Sequence, residues 1–152
     1  PNDIVVSGKK GCGILTEMSA EPDFIHYVVI GTGINVNQSF FPEEIAETAT
    51  SLRLEKGERI VRAQLLADVM KRFEAAYARF LETRDLSGIR ADYERLLLNK
   101  DRPVRVLDPK GEYEGTAAGI NDNGELLVTR QDGSTECVYA GEVSVRGIYG
   151  YV

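Results

Sequence analysis

The sequence predicts an α+β fold: a β-rich first third, a helical middle and a β-rich end. Three observations carry this. Short apolar runs punctuated by glycine fill residues 3–36. Apolar residues then recur every three or four positions between Glu58 and Leu98. Beyond Arg102, short strand patterns alternate with Pro-Lys-Gly, Asn-Gly and Asp-Gly turns.

Taken in order, Asp3-Ile4-Val5-Val6 is a short strand, and Ser7-Gly8 is the turn after it, since glycine supplies the positive φ of a tight hairpin. A second strand runs from Lys10 to Glu17, and Ser19 to Asp23, with Pro22, is a loop. Ile25 to Ile30 is a third strand, apolar on both faces as in a strand covered on both sides. Gly31-Thr32-Gly33 breaks it, and Ile34-Asn35-Val36 resumes an extended path. Pro42 to Thr48 predicts a short helix with proline in its first turn. Glu58 to Leu81 predicts a helix of about six turns, striped by Leu65, Val69, Phe73, Tyr77 and Phe80. Ser87 to Leu98 predicts another, with Ile89, Tyr93, Leu96 and Leu97 on one side, and both stripes read as core packing.

The terminal strands are expected over Val104–Leu107, Tyr113–Ile120, Glu125–Thr129, Thr135–Tyr139 and Val143–Ile148, forming a small antiparallel barrel. The boundary falls at Lys100–Pro103, dividing the chain into residues 1–101 and 102–152. A module of about 50 residues is near the lower limit for an independent core, so it is expected to lean on the preceding helices.

Composition narrows the function classes. The 152 residues carry a net charge of -6 and a pI near 4.9. Phosphate-tracking surfaces need a basic face, which argues against nucleic acid as the partner of this segment. No apolar run approaches the length of a membrane span and no secretory signal opens the chain, so a cytoplasmic protein is expected. Cys12 and Cys137 are read as reduced, and one histidine with two cysteines does not easily build a zinc site.

Generic nucleotide motifs fail. Gly31-Thr32-Gly33-Ile34-Asn35-Val36 ends in Val36 where a dinucleotide fingerprint needs glycine or alanine. Gly8-Lys9-Lys10 lacks both the earlier glycine and the following Ser or Thr of a phosphate loop. What remains is a constellation. Asn2 and Asp3 precede a strand, Lys10 opens its hairpin partner, Gly11 and Gly13 flank Cys12, and Gly31, Gly33 and Asn35 end the third strand. Glycines let a ligand approach the backbone. By alternation Lys10 shares a face with Cys12 and Ile14. An ammonium there can hold a carboxylate or phosphate, or it is simply a solvated hairpin lysine. Cys12 reads as packing and His26 as a core or sheet-face histidine.

Asn2-Asp3-Ile4, then Lys10-Gly11-Cys12-Gly13-Ile14-Leu15-Thr16-Glu17, then Val28-Val29-Ile30-Gly31-Thr32-Gly33-Ile34-Asn35-Val36-Asn37 resemble the core signature of biotin protein ligases. Thr50-Ser51-Leu52 follows at the family's usual place. That family carries Lys-Trp-Pro-Asn-Asp, a hairpin, Lys-x-x-Gly-Ile-Leu-x-Glu, and a strand ending in Gly-x-Gly-Ile-Asn. The resemblance implies part of a mixed sheet packed on helices, as in class II synthetases, followed by an SH3-like barrel. The family's Lys-Trp and its Gly-Arg-Gly biotin loop have no counterpart here. The chain is therefore expected to be the C-terminal part of a ligase, inactive alone.

The resemblance implies that the intact enzyme joins biotin to ATP as biotinyl-5′-adenylate and passes biotin to a carrier lysine. Lys10 bridges the biotin carboxyl and the α-phosphate, and Asp3 orients or deprotonates the incoming amine; the other reading of Asp3 is a turn aspartate. Asn2 and Asn35 serve the adenylate or act as turn residues, Gly13 and Ile14 offer backbone groups to biotin, and Gly31 allows close passage. Mg²⁺ accompanies the triphosphate, and no protein metal ligand is expected. The implied partners are a biotin carboxyl carrier domain, the remaining N-terminal part of the ligase, which can include a DNA-binding domain, and a second copy in a homodimer. A lipoate–protein ligase of the same superfamily and a non-catalytic protein-interaction module stay open as alternatives.

Overall fold

The computed structural model describes residues 2–108, 111–139 and 144–147. The chain divides into two compact units, one up to Leu65 and one from Leu66 on.

In the first unit β1 (Asp3–Val6), β2 (Lys9–Glu21) and β3 (Phe24–Ile34) form an antiparallel sheet in the order β1-β2-β3. Ser7 (φ 52) and Gly8 (φ 79) make the expected tight turn, whose two positive φ values match the right-handed twist of the flanking strands. The second and third strands are longer than the sequence pattern predicts. Ser19, Ala20 and Glu21, read as loop, pair with Tyr27, Ile25 and Phe24, so only Pro22-Asp23 turn. Gly31-Thr32-Gly33 does not break β3; it continues the ladder opposite Leu15, Ile14 and Gly13. Neither glycine takes a positive φ, so each keeps its amide and carbonyl in the ladder as any residue does.

β3 is also exposed along nearly its whole length, with Val28, Val29 and Ile30 each about half accessible. The expected two-sided cover is not among the described residues. An apolar run reports that a strand is made to be covered, not which element covers it.

Beyond β3 the chain is held by specific polar contacts. The Asn37 amide donates to the Ile60 carbonyl (2.9 Å) and its Oδ1 accepts from the Ile60 amide (2.9 Å). The short helix α1 (Glu43–Ala46) follows Pro42 as expected. A second, α2 (Leu52–Lys56), was not anticipated, because five residues are too few to show periodicity. It is capped by Ser51, whose hydroxyl accepts from the Leu54 amide, and it ends at Gly57 in the left-handed conformation (φ 78). The segment before it runs beside Lys10. The Lys10 amide donates to the Thr48 carbonyl (2.7 Å) and the Thr50 amide to the Lys10 carbonyl (2.9 Å). This Lys10–Ala49 bridge is parallel but isolated; every strand pair among the described residues is antiparallel.

The long helix α3 (Arg62–Thr83) starts four residues later than Glu58, since Ile60 is tied to Asn37 instead. Its apolar stripe is present, and Phe73, Tyr77 and Phe80 stack along it at centroid distances of 5.9 and 6.2 Å. None of its residues is buried, so core packing is not what this stripe does among the described residues. α4 (Ser87–Leu96) is joined to α3 by an Arg79–Asp92 ion pair.

The second unit ends in β4 (Pro103–Leu107), β5 (Tyr113–Ile120), β6 (Leu126–Thr129), β7 (Thr135–Val138) and β8 (Ser144–Gly147), an antiparallel sheet in the order β7-β6-β5-β4-β8. Its core is Val104, Val106, Ala117, Val128 and Val138. Gly124 and Gly133 take the positive φ their turns require. The Pro109-Lys110 turn and the outer ends of the last predicted strand, Val143 and Ile148, lie outside the described residues. As expected, the sheet leans on a helix: Glu94 of α4 accepts from the Ile120 amide of β5 (3.1 Å) and from Lys100 Nζ (2.6 Å).

Candidate functional site

The register between β1 and β2 decides where Lys10 points. Asp3 pairs with Gly13 and Ile4 with Cys12, but Val5 pairs with Lys10. Gly11 is therefore an extra residue, a β-bulge, and a bulge shifts the alternation by one. The expectation that Lys10 shares a face with Cys12 and Ile14 is overturned for that reason. Lys10 instead extends over Gly13, and its Nζ lies 2.6 Å from Oδ1 of Asp3, the residue paired with Gly13. Cys12 turns the other way and is buried; burial pushes its thiol pKa up, against a smaller lowering by Lys10. Packing is thus its role, as the sequence suggests.

Around this pair the backbone is fixed on both sides. Toward β1, the Asn2 amide donates to the Ile14 carbonyl (3.0 Å), and the Ile14 amide donates to the Asn2 carbonyl (2.8 Å). Toward the Thr48–Thr50 segment, Asn35 donates through its side chain to the Thr50 carbonyl (3.0 Å) and through its backbone to the Gly11 carbonyl (2.8 Å). Both asparagine amides thus rest on main-chain carbonyls and lock the ribbon that carries Lys10. Asp3, Lys10 and Gly13 come together, with Asn2 and Ile14 adjoining. Gly31 does not join them: it sits opposite Leu15, two pairs further along the ladder than Gly33 opposite Gly13.

The sequence analysis missed the residues behind the hairpin. Glu55 of α2 accepts from the Thr50 hydroxyl (2.5 Å) and from the Ser7 hydroxyl (2.7 Å), which hold its carboxyl below the usual glutamate range. Lys9 donates to the Ala46 carbonyl (3.0 Å). These contacts clamp the turn to α1 and α2. Only Thr50 carried any signal, through the Thr50-Ser51-Leu52 block. A cavity of about 310 Å³ lined by Lys9, Phe40, Phe41 and Glu55 opens beside this clamp, but neither Lys10 nor Asp3 lines it. His26 lies on the exposed sheet face, 3.1 Å from Glu21 and edge-on to Phe24.

Chemically, the site is an ammonium on a rigid β-ribbon, half exposed, beside one carboxylate and among glycines. It can take an anion at the ammonium and leave the carboxylate to hold an amine. The ribbon, the helices after it and the terminal antiparallel sheet make up an α+β fold. Residues 101–146 match the family described as Biotin protein ligase C terminal domain, and the chain is a homologue of the biotin protein ligases over their C-terminal portion.

It is 39% identical over 147 residues to the bifunctional ligase/repressor BirA of Bacillus spizizenii, covering 95% of this chain and 45% of that protein. It is 36% identical over 146 residues to the biotin–[acetyl-CoA-carboxylase] ligase of Mycobacterium tuberculosis, covering 94% of this chain and 50% of that one. The chain thus spans about half the length of these curated relatives. Among solved structures, the apo biotin protein ligase of Aquifex aeolicus superposes with a TM-score of 0.81 at 31% identity, over 97% of this chain and 63% of that one. The same enzyme in complex with biotin and ATP gives 0.79 at 30% identity, over 97% and 60%.

Proposed function

We propose that this chain is the C-terminal part of an ATP-dependent biotin–protein ligase, with residues 1–101 completing its catalytic domain and 102–152 forming its SH3-like domain. The observation that carries the reading is the Lys10–Asp3 pair on a bulged ribbon, and its support is a match over 97% of the chain to a ligase solved with biotin and ATP. The intact enzyme activates biotin to biotinyl-5′-adenylate and transfers it to a lysine of a carrier domain. In the first step Lys10 exchanges Asp3 for the anionic junction between the biotin carboxyl and the α-phosphate. Fixed positive charge there stabilises developing negative charge more than the ground state. In the second step Asp3 holds the carrier amine as it now holds Lys10. Asn2 and Asn35 keep the ribbon in place, Gly13 and Ile14 form the edge along which biotin lies, and Gly31 gives clearance further along.

Mg²⁺ brought in with the triphosphate would screen its charge, and no side chain of this chain is assigned to hold it. Among the described residues no three of His, Cys, Asp and Glu converge as a metal site. The exposed faces of β3 and α3 are where the rest of the catalytic domain packs. No helix among the described residues is long and apolar enough to cross a membrane.

The test is Lys10→Ala in the full-length ligase, followed by biotin-dependent pyrophosphate release. Adenylate formation is expected to fall about 10²-fold, as for loss of one transition-state charge partner. An unchanged rate would refute the catalytic assignment. Lipoate in place of biotin is expected to give no release.

A further inference from the structure

We propose that Gly13 is a positioning residue for the Lys10 ammonium, acting through the side chain it lacks; the kinetic half of its test rests on the ligase reading above. A Cβ built at Gly13 would lie 3.2 Å from Cε and 3.3 Å from Nζ of Lys10, and 3.8 Å from Oδ1 of Asp3. The first two distances are shorter than ordinary van der Waals contact. The lysine therefore lies across the space a methyl group would fill, with its nitrogen against Asp3.

The backbone does not need glycine here. Gly13 takes no positive φ and sits in a regular ladder between Asp3 and Gly33. The atoms a methyl would meet are the far end of a flexible side chain, so the fold can absorb the substitution and the ammonium is what moves. The other ladder glycines differ. A Cβ on Gly33 meets only the Gly13 carbonyl oxygen at 3.7 Å, and one on Gly31 meets Leu15 no closer than 3.7 Å. The device thus has two parts. The bulge at Gly11 turns Lys10 onto the face of Asp3, and the bare Cα at Gly13 lets it lie flat once there.

The experiment compares Gly13→Ala, Lys10→Ala and the double variant in the full-length ligase. It uses thermal melting, single-turnover adenylate formation at saturating biotin and ATP, and a crystal structure of Gly13→Ala. Gly13→Ala is expected to fold and melt as the parent does. Its Lys10 ammonium is expected to be pushed aside by a few tenths of an ångström, and its adenylation rate to fall by up to about 10-fold, less than a full ångström of misplacement would cost. In the Lys10→Ala background the same change is expected to add no further loss, which a merely structural role would not produce. The proposal is overturned by an ammonium left in the parent's position in the variant structure, by an equal loss in both backgrounds, or by a variant that does not fold. A silent Lys10→Ala refutes the ligase reading instead, and the variant structure still decides the position of the ammonium.

Discussion

In the terminal sheet Val104, Val106 and Val128 are fully buried, whereas in the first unit the most deeply buried side chain is the hydroxyl of Ser51, and the valines of β3 stand about half exposed. Both regions are antiparallel ladders, yet different forces hold them. The terminal sheet closes on apolar side chains that alternate inward from β4, β5, β6 and β7. It packs so closely that a Cβ on Gly115 would fall 2.6 Å from Val128 Cγ1 and 2.7 Å from the Thr129 carbonyl oxygen. The first unit is pinned by polar contacts: Ser7 and Thr50 on Glu55, Asn37 on Ile60, Asn35 on Thr50 and Ser51 on Gln38. Both sheets carry a register shift, between Ile4 and Val5 in the first and between Ala117 and Gly119 in the second; only the second packs a buried apolar cluster beside it.

The comparison can be broken at its strongest point first. In this 152-residue chain Val128→Ala is expected to cost about 2 kcal/mol, from lost burial and a residual cavity, whereas Val29→Ala on the exposed strand is expected to stay within about 0.5 kcal/mol. Chemical denaturation of each variant measures both. Equal costs would mean that the two sheets are stabilised alike.

Next in size is Ser51→Ala. It removes the cap of α2 and the 2.6 Å bond to the Gln38 carbonyl, leaving that carbonyl without this donor, and about 1–2 kcal/mol is expected. A cost near zero would show that the polar pins of the first unit do not hold it.

The smallest effect is a pH dependence at Glu55. Hydrogen bonds from Thr50 and then Ser7 favour its ionised form in the folded chain, below the ordinary value of 4.5. That stabilisation is complete above the ordinary value and is lost as the pH falls through the lower folded value. Melting temperature followed from about pH 6 to about pH 3 is expected to drop less steeply for Glu55→Gln than for the parent. Identical slopes would remove Glu55 from the clamp.

Much of the fold could be read from the chain. The terminal strands come from alternation and Gly-centred turns, and α4 from its period, because these are local signals. The ends of β2 and β3 could not be read. Ser19–Glu21 look like loop, and Gly31-Thr32-Gly33 looks like a break, because pairing with a partner strand overrides local preference. In the site, Asp3, Lys10 and Gly13 are each legible in the sequence. Their geometry is not, because simple alternation places Lys10 beside Cys12.

The residues themselves determined the order of elements, the tight turns, the lysine and its surrounding glycines. Each of these follows from local backbone freedom, periodicity or side-chain chemistry within a few positions. Only the tertiary structure decided the face on which Lys10 emerges, the partner it meets and the clamp behind it. Those depend on one extra residue in a cross-strand register and on contacts such as Ser7 to Glu55, 48 positions apart, which no window of the sequence contains.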